Sequence, residues 1–214
     1  MLAGHIGVGL AIGRWERRVN VAVFVAAALL LDVMLWLFIL LGWESVRIPA
    51  DFLTTHQPEF VFPYSHSLLA ALFWSVAAGL VVRFVYPRAR AGWLILVAVF
   101  SHWLLDALVH RAELPLAGGA TPQVGLALWG HMPVALVIEA VIVLVGLFAF
   151  VRGSKLARGR AIGLVALNLG ILALTAVGMT VAPAPPSALA MAASSLLTLA
   201  VVCGALAWLG KTEV

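Results

Sequence analysis

Long apolar stretches separated by short polar connections make up most of the chain. Six of them are long enough to cross a bilayer, which takes about 20 apolar residues in a helix; they are residues 20–42, 64–86, 92–109, 132–151, 161–182 and 188–209. A seventh stretch, Leu2–Gly13, extends only about 18 Å as a helix and is too short to cross upright. We expect it to be a half-length or re-entrant helix covered by the bundle. The pattern predicts an all-α, polytopic transmembrane helix bundle with six spanning helices plus a short N-terminal apolar helix.

The composition also requires lipid surroundings. Of the 214 residues, 64% are hydrophobic and 10% are charged, whereas a soluble domain carries roughly a quarter charged residues. Such a chain could not cover itself with a hydrated surface, so the bilayer is its expected solvent. No linker or low-complexity tract divides the sequence, and we expect one integral membrane domain over residues 1–214. The single cysteine, Cys203, excludes a disulfide within the chain.

Lysine and arginine are distributed unevenly between the two sets of connections. Only Arg47 and Arg111 lie in the loops 43–63 and 110–131. The other eleven are Arg14, Arg17, Arg18, Arg83, Arg88, Arg90, Arg152, Lys155, Arg158, Arg160 and Lys211. Because cytoplasmic loops carry the excess of basic residues, we expect these eleven and the C-terminus to be cytoplasmic and the two long loops to face outward. The net charge of +4 thus indicates orientation rather than a nucleic-acid partner.

A few ionisable side chains interrupt the apolar segments, where each needs a partner or a purpose. They are His5, Asp32, His66, His102, Asp106 and Glu139, with His110 and His131 at helix ends. At about 1.5 Å per residue through a core of about 30 Å, all of the first six except His66 reach a similar depth, at or just outside the midplane. His66 comes nearer the outer boundary, so either residues 60–65 dip into the bundle or His66 lies at the mouth. The shared depth predicts a single site.

Spacing along one helix adds a metal-binding pattern. His102, Asp106 and His110 follow one another at intervals of four and therefore share a helix face. An imidazole and a carboxylate on successive turns suit Zn²⁺, and Mn²⁺ and Fe²⁺ also accept such ligands. A histidine from another helix would complete three ligands and leave a fourth position for water, whose pKa such an ion lowers toward about 7.

Simpler interpretations exist for each residue. His5 alone fits a hydrogen-bonding helix contact, and the pair His102 and Asp106 fits a buried hydrogen bond. His110 and His131 at the interface fit ordinary solvation, and His56 in an outer loop needs no special role.

The remaining polar neighbours leave alternatives open. Glu139 fits a ligand, a general base or a partner that orients a histidine. Ser65, Ser67 and Ser101 flank histidines, but adjacent residues on a helix point in different directions, so we expect these serines to point elsewhere.

Four segments carry a family resemblance: GHIGVGLAIG with His5, LLLDVMLW with Asp32, PYSHSLLAAL with His66, and FSHWLLDALVH with His102 and Asp106. Their order and spacing resemble the bacterial inner-membrane family described as membrane-bound metal-dependent hydrolases, which includes LexA-regulated members. That family is distantly similar to zinc-dependent phospholipase C. The resemblance implies that these five residues form the metal-binding or catalytic set of a multi-pass protein in the bacterial inner (cytoplasmic) membrane.

The resemblance covers residues 1–140, and two positions depart from it. Met34 stands where the family has a second acidic residue, and residues 61–63 replace its usual His-Arg-Gly. These departures argue against a two-metal site, and His131 and Glu139 are the candidates to replace the missing groups. Residues 141–214 carry no recognised chemistry and are expected to complete the bundle.

Three classes of function compete. The first is a membrane-embedded metal-dependent hydrolase that acts on a lipid or lipid-linked ester or phosphoester from the outer face. The sequence does not distinguish these bonds from an amide, which is the bond that ceramidase-like enzymes cleave. In such a hydrolase His5, His66, His102 and Asp106 bind the metal, Asp32 is a catalytic residue, a ligand or a carboxylate beside the ligands, and Glu139 is the candidate base or acid. The second is a proton- or cation-coupled transporter, and the third is a scaffold whose polar cluster only fixes helix packing.

Overall fold

A computed structural model describes residues 1–86, 89–119 and 121–211 as an all-α helix bundle. The helices in chain order are α1 (Leu2–Gly13), α2 (Val21–Ala28), α3 (Leu30–Leu40), α4 (Phe52–Thr55), α5 (Leu68–Val85), α6 (Ala89–Val109), α7 (Met132–Gly153), α8 (Arg158–Thr180) and α9 (Ala188–Leu209). Five of these helices, α5 to α9, are long and apolar enough to cross a membrane, and the number is six when the bent pair of α2 and α3 is counted as one broken span. The predicted all-α helix bundle is confirmed, with five or six apolar helices long enough to span a membrane and the short N-terminal helix α1.

The first span differs from the expected continuous helix over residues 20–42. It breaks at Leu29, and the axes of α2 and α3 are bent by 53°. Asn20 starts α2 as its N-cap, because its side chain accepts a hydrogen bond from the backbone N–H of Ala22 at 2.9 Å. The break leaves the carbonyl of Ala28 at a helix end, where such groups need a partner from elsewhere.

The second span also begins later than expected. The sequence predicts a helix from residue 64, but α5 starts at Leu68 with Ser67 as its N-cap. The preceding segment, residues 60–67, enters the bundle, and Phe62 and His66 within it are buried. His66 therefore lies inside the protein rather than at a mouth.

The short helix α1 occupies the middle of the bundle and packs against α2, α6 and α7. Glycines allow this approach: a Cβ on Gly7 would lie 2.6 Å from the carbonyl oxygen of Ile142, and one on Gly146 would lie 2.0 Å from the carbonyl oxygen of Gly7. The backbones of α1 and α7 are therefore in contact, as small residues permit in membrane proteins. This packing covers the half-length helix, as expected, and brings its histidine into the centre.

The two long loops, residues 43–67 and 110–131, meet at one end of the bundle, which we call the loop end. Each contains a small antiparallel pair that the sequence did not predict: β1 (Ser45–Arg47) with β2 (Glu59–Val61), and β3 (Leu114–Pro115) with β4 (Gln123–Val124). Gln57 of the first loop donates to the carbonyl of Trp129 in the second at 3.1 Å. The connections that carry Arg14, Arg17 and Gly153 meet at the opposite end. Arg88 and residues 212–214 lie outside the described residues, and the orientation in the membrane stays a prediction.

Candidate metal centre

Five of the predicted site residues meet around one carboxylate. Asp106 of α6 has one oxygen, Oδ1, 3.1 Å from Nε2 of His5 on α1. Its other oxygen, Oδ2, lies 3.1 Å from Nε2 of His102 and 3.4 Å from Nε2 of His66. Asp32 of α3 approaches from the other side, with Oδ1 3.7 Å from Nε2 of His102. The structure therefore brings these five predicted site residues together in one cluster.

Two overlapping triplets have the spacing of metal ligands. One ligand atom from each of His66, His102 and Asp106 lies within 4.8 Å of the others, and the same is true of His5, Asp32 and His102. Imidazole nitrogens and carboxylate oxygens in such a set suit Zn²⁺, Mn²⁺ or Fe²⁺. His102 belongs to both triplets but offers one inward nitrogen, so the arrangement suits a single ion better than two.

The broken helix orients His102. Its Nδ1 donates to the carbonyl oxygen of Ala28 at 2.7 Å, the group that the break at Leu29 leaves at a helix end. With the proton held on Nδ1, the Nε2 of a neutral ring carries a lone pair toward Asp106. Metal-binding histidines in proteins are fixed in this way by a carbonyl or carboxylate behind the ring.

A relay of two loop residues orients His66. The Ser65 hydroxyl donates to Oε2 of Glu44 at 2.6 Å and thus accepts from Nδ1 of His66, 2.8 Å away. Oε1 of Glu44 accepts the backbone N–H groups of Tyr64 and Ser65, both at 2.8 Å. Burial raises the pKa of Glu44, and these hydrogen bonds act in the opposite direction by favouring its carboxylate. The lone pair of His66 is therefore also on Nε2, and the indole of Trp103 donates to its carbonyl oxygen at 3.0 Å.

This relay corrects the prediction for one of the three flanking serines. Ser65 was expected to point away from its histidine, on the assumption that residues 64–67 are helical, but they precede α5. Ser67 instead caps α5 by accepting from Ala70, and Ser101 donates to the carbonyl of Ala98, so these two point elsewhere as predicted.

The Nε2 atoms of His66 and His102 face each other, and a proton or a metal ion between them would satisfy both. Nε2 of His66 and Nε2 of His102 are 3.3 Å apart, and both Nδ1 atoms already donate to other groups. Two neutral rings in these tautomers would repel each other beside the carboxylate of Asp106, unless a proton or a metal ion lies between them. Three imidazoles and two carboxylates fit a divalent metal ion by the chemistry of their donor atoms.

His5 completes the cluster by stacking on His102. Their ring centroids are 3.7 Å apart with an interplanar angle of 6°. Nδ1 of His5 is buried and has no hydrogen-bond partner among the described residues, whereas its Nε2 faces Asp106. His5 thus makes the hydrogen-bonding helix contact of the simpler interpretation, to Asp106, and it also stacks on His102 within the cluster.

Glu139 of α7 lies beside the cluster. Its Oε1 accepts the backbone N–H of Gly4 at 3.2 Å, so it links α7 to the start of α1. It belongs to neither ligand triplet, but it lines the same cavity as Asp106. This position fits the predicted base or orienting partner better than a metal ligand.

His110 is buried rather than solvated, contrary to the simpler interpretation. Its Nδ1 is 2.6 Å from Oε1 of Glu113, and its Nε2 is 3.9 Å from Oδ2 of Asp106. Its ring packs against Trp129, with centroids 4.3 Å apart, and against Phe62. A carboxylate behind a histidine that faces a cavity is an arrangement typical of proton-transfer groups.

For the other two histidines, the structure agrees with the simpler interpretation of His131 but not with that of His56. His131 ends the 3₁₀ turn before α7 and is exposed, so it does not join the cluster. His56 was given no role, yet it is buried, has φ of 51° and lines the cavity. Sequence reasoning thus missed His56, Glu44 and the role of Glu113. The spacing of three between His110 and Glu113 could have indicated the last of these, but nothing local indicated Glu44.

A cavity of about 380 Å³ connects the cluster to the surface. Its polar wall includes His66, Asp106, Asp32 and Glu139, and its other walls come from both loops, α8 and α9. The last two helices therefore help to form the site, although the sequence indicated only a structural role for them. The described residues that line the cavity all lie in the half of the bundle at the loop end.

Comparisons with known protein families, with curated proteins and with solved structures found no match for this chain. The resemblance to membrane-bound metal-dependent hydrolases therefore stays a prediction that rests on the five cluster residues and their motifs. What the chain itself shows is an apolar helix bundle of the kind found in membrane proteins, with a buried cluster of three histidines and two aspartates next to a cavity.

Proposed function

We propose that this protein is a metal-dependent hydrolase of the bacterial inner membrane, which acts on a lipid or lipid-linked ester or phosphoester from the outer face. One observation carries the proposal: His66 and His102 are each held from behind so that both Nε2 atoms converge on Asp106. A purely structural hydrogen-bonded pair would need only one donor and one acceptor. The family resemblance of the same residues supports the proposal.

The proposed ion is Zn²⁺, with Mn²⁺ or Fe²⁺ as alternatives, held by His5, His66, His102 and Asp106 with Asp32 as a further ligand or an adjacent carboxylate. A divalent ion in such a site supplies Lewis acidity and lowers the pKa of water toward about 7. The largely buried position strengthens the charge interactions in the site relative to those in bulk water.

Residues beside the ligands would handle protons and position the substrate. Glu113 holds a proton on Nδ1 of His110, which leaves Nε2 free to accept or return a proton near Asp106. Glu139 offers a second carboxylate on the wall of the cavity. Gly4 anchors it through one oxygen, and the other oxygen is available to a substrate or water.

The transporter hypothesis has less support. Between the cluster and the opposite end of the bundle, the buried side chains Leu10, Phe24 and Phe150 are apolar and closely packed. The cavity lining contains none of them. A proton or cation relay would need polar groups through this region. A site open toward one end suits an enzyme better than alternating access.

The first experiment measures the metal content of the detergent-purified protein by elemental mass spectrometry. We expect about one equivalent of a transition metal in the wild type, because the two ligand triplets share a single nitrogen of His102. The metal should be lost in the His102→Ala and Asp106→Asn variants. His131→Ala is the matched control, because His131 is exposed and outside the cluster. Retention of metal in His102→Ala would refute the ligand set.

Reconstituted proteoliposomes then separate the three functions. The hydrolase predicts release of a lysolipid or head group from phospholipid vesicles, which His102→Ala abolishes and His131→Ala leaves intact. Cation or proton flux that disappears with Asp32→Asn would favour the transporter. Protein without metal, whose His102 and Asp106 can both be replaced by apolar residues with no loss of folding, would favour the scaffold.

A further inference from the structure

Several residues of α8 and α9 that line the cavity are also exposed or partly exposed, which indicates a second opening through the side of the bundle between these helices. Leu174 of α8 lines the cavity and is also 54% exposed on the outer surface of the bundle. Ser194 of α9 likewise lines the cavity and is exposed, and Thr198 lines it and is partly exposed. Residues that belong to both the cavity wall and the outer surface mark an opening at that place.

This opening lies at the depth of the lipid chains. Thr198 is ten residues into α9 from its start at the loop end, which corresponds to about 15 Å along the helix axis. A hydrocarbon core is about 30 Å thick, so the opening extends from the loop end to about the middle of the membrane. Molecules that reach it from the side are membrane lipids, because a water-soluble ligand would have to cross hydrocarbon.

A buried hydroxyl that belongs to a residue of the cavity wall lacks a hydrogen-bond partner among the described residues. Thr175 of α8 is 9% exposed and lines the cavity, and its Oγ1 has no hydrogen-bond partner among the described residues. Other helical threonines here donate to the carbonyl one turn earlier, as Thr180 does to Ala176 at 2.7 Å. An unpartnered buried hydroxyl costs about 1–3 kcal/mol, which a ligand oxygen would offset.

We propose that the opening between α8 and α9 admits one acyl chain of a membrane glycerolipid, with an ester carbonyl oxygen accepting the Thr175 hydroxyl and the head group directed toward the cluster. The proposal rests on the proposed function in naming this lipid as the substrate. The cavity of about 380 Å³ falls within the range of about 300–1,000 Å³ that is usual for ligand sites. The lining contributed by α8 and α9 contains no charged side chain, as an acyl chain requires.

Two glycines of α8 provide a matched pair of variants. An added Cβ at Gly178 or at Gly170 would meet no atom within 4 Å, so both positions accept a larger side chain without a clash at that atom. Gly178 lines the cavity, whereas Gly170 is exposed and lies outside it. Gly178→Phe should therefore fill the opening, and Gly170→Phe should only add a ring to the lipid-facing surface.

The experiment is photo-crosslinking in vesicles of phosphatidylethanolamine and phosphatidylglycerol that contain a phospholipid with a diazirine in one acyl chain. Labelled peptides are mapped by mass spectrometry, and labelling of the buried cavity residues Thr175 and Leu199 is compared with that of the exposed Leu197 of α9, which lies outside the cavity. We expect all three to be labelled in the wild type. In Gly178→Phe the ratio of buried to exposed label should fall about tenfold, because the ring occupies the space of the chain.

The controls make the result decisive. Unchanged labelling ratios in Gly170→Phe, and a lower ratio in Thr175→Val, support the acyl-chain site. Label confined to Leu197 in the wild type, or equal ratios in the two glycine variants, would overturn it, because lipid would then only cover the outside. The same preparations are analysed for metal: labelling of Thr175 and Leu199 in protein without metal supports the lipid site while overturning the metal-dependent hydrolase.

Discussion

Replacement of Glu44 by glutamine should invert the hydrogen-bond relay behind His66. In the wild type, the backbone N–H groups of Tyr64 and Ser65 both lie 2.8 Å from Oε1 of Glu44. The amide oxygen of the Glu44→Gln variant can still accept both of these hydrogen bonds. Its amide nitrogen would take the place of Oε2 and donate to the Ser65 hydroxyl. Ser65 must then turn its own proton toward Nδ1 of His66, 2.8 Å away, which forces the histidine proton onto Nε2.

The inverted tautomer places a proton where the metal should bind. Nε2 of His66 lies 3.3 Å from Nε2 of His102 and 3.4 Å from Asp106, inside the ligand triplet. Loss of a partner that orients a ligand costs about 10–100-fold in metal affinity, or ~1.4 to ~2.8 kcal/mol. Because Glu44→Gln retains both backbone hydrogen bonds, the stability of the metal-free protein should change much less.

The assay is Zn²⁺ affinity of the detergent-purified protein, measured by competition with a chelating dye, together with ¹⁵N NMR of the histidine rings. Ser65→Ala removes the relay without imposing a tautomer and should weaken binding less than Glu44→Gln does. In the double variant Glu44→Gln should have no further effect, since no serine remains to transmit it. Wild-type affinity in Glu44→Gln, or an equal effect with and without Ser65, would refute the reasoning.

Three further predictions concern packing, proton transfer and capping. Gly146→Val should lower stability by more than about 1–3 kcal/mol in detergent thermal unfolding, because even a Cβ there lies 2.0 Å from the carbonyl of Gly7, while Gly204→Ala, with open space around it, should be neutral. Glu113→Gln should reduce phospholipid hydrolysis in proteoliposomes by about 10²-fold at unchanged metal content, since it removes the carboxylate behind His110; a parallel loss of metal would instead indicate a structural role. Asn20→Ala should cost about 1 kcal/mol in the same unfolding assay, because its side chain caps α2 and also donates to the carbonyl of Ala207 at 3.0 Å. An unchanged unfolding temperature would show that this cap contributes nothing.

Much of this architecture was readable from the sequence because a bilayer imposes simple rules. A helix of about 20 apolar residues is long enough to cross it, so the spans, the half-length α1 and the all-α class followed from the lengths of apolar stretches. The constant rise per residue then converted positions of polar residues into depths, which is why Asp32, His102 and Asp106 were expected at one level. The same face of α6 carries His102 and Asp106 by helical periodicity alone.

Tertiary structure decided how the site is completed. Depth says nothing about the rotation of a helix or the path of a loop, so the entry of residues 60–67 into the bundle placed His66 contrary to its estimated depth. The Glu44 relay joins residues 21 positions apart through that loop, and no local periodicity encodes such a contact. The break at Leu29, which exposes the carbonyl that orients His102, likewise occurs without proline or glycine.

The last two helices show the same division most clearly. Their sequences determined that α8 and α9 cross the membrane, because length and apolarity suffice for that. Only their packing decided that they wall a cavity beside the cluster and leave the buried Thr175 hydroxyl without a partner among the described residues. Small and hydroxyl residues are common in membrane helices, and they acquire a specific role only when the neighbouring helices place them against a cavity.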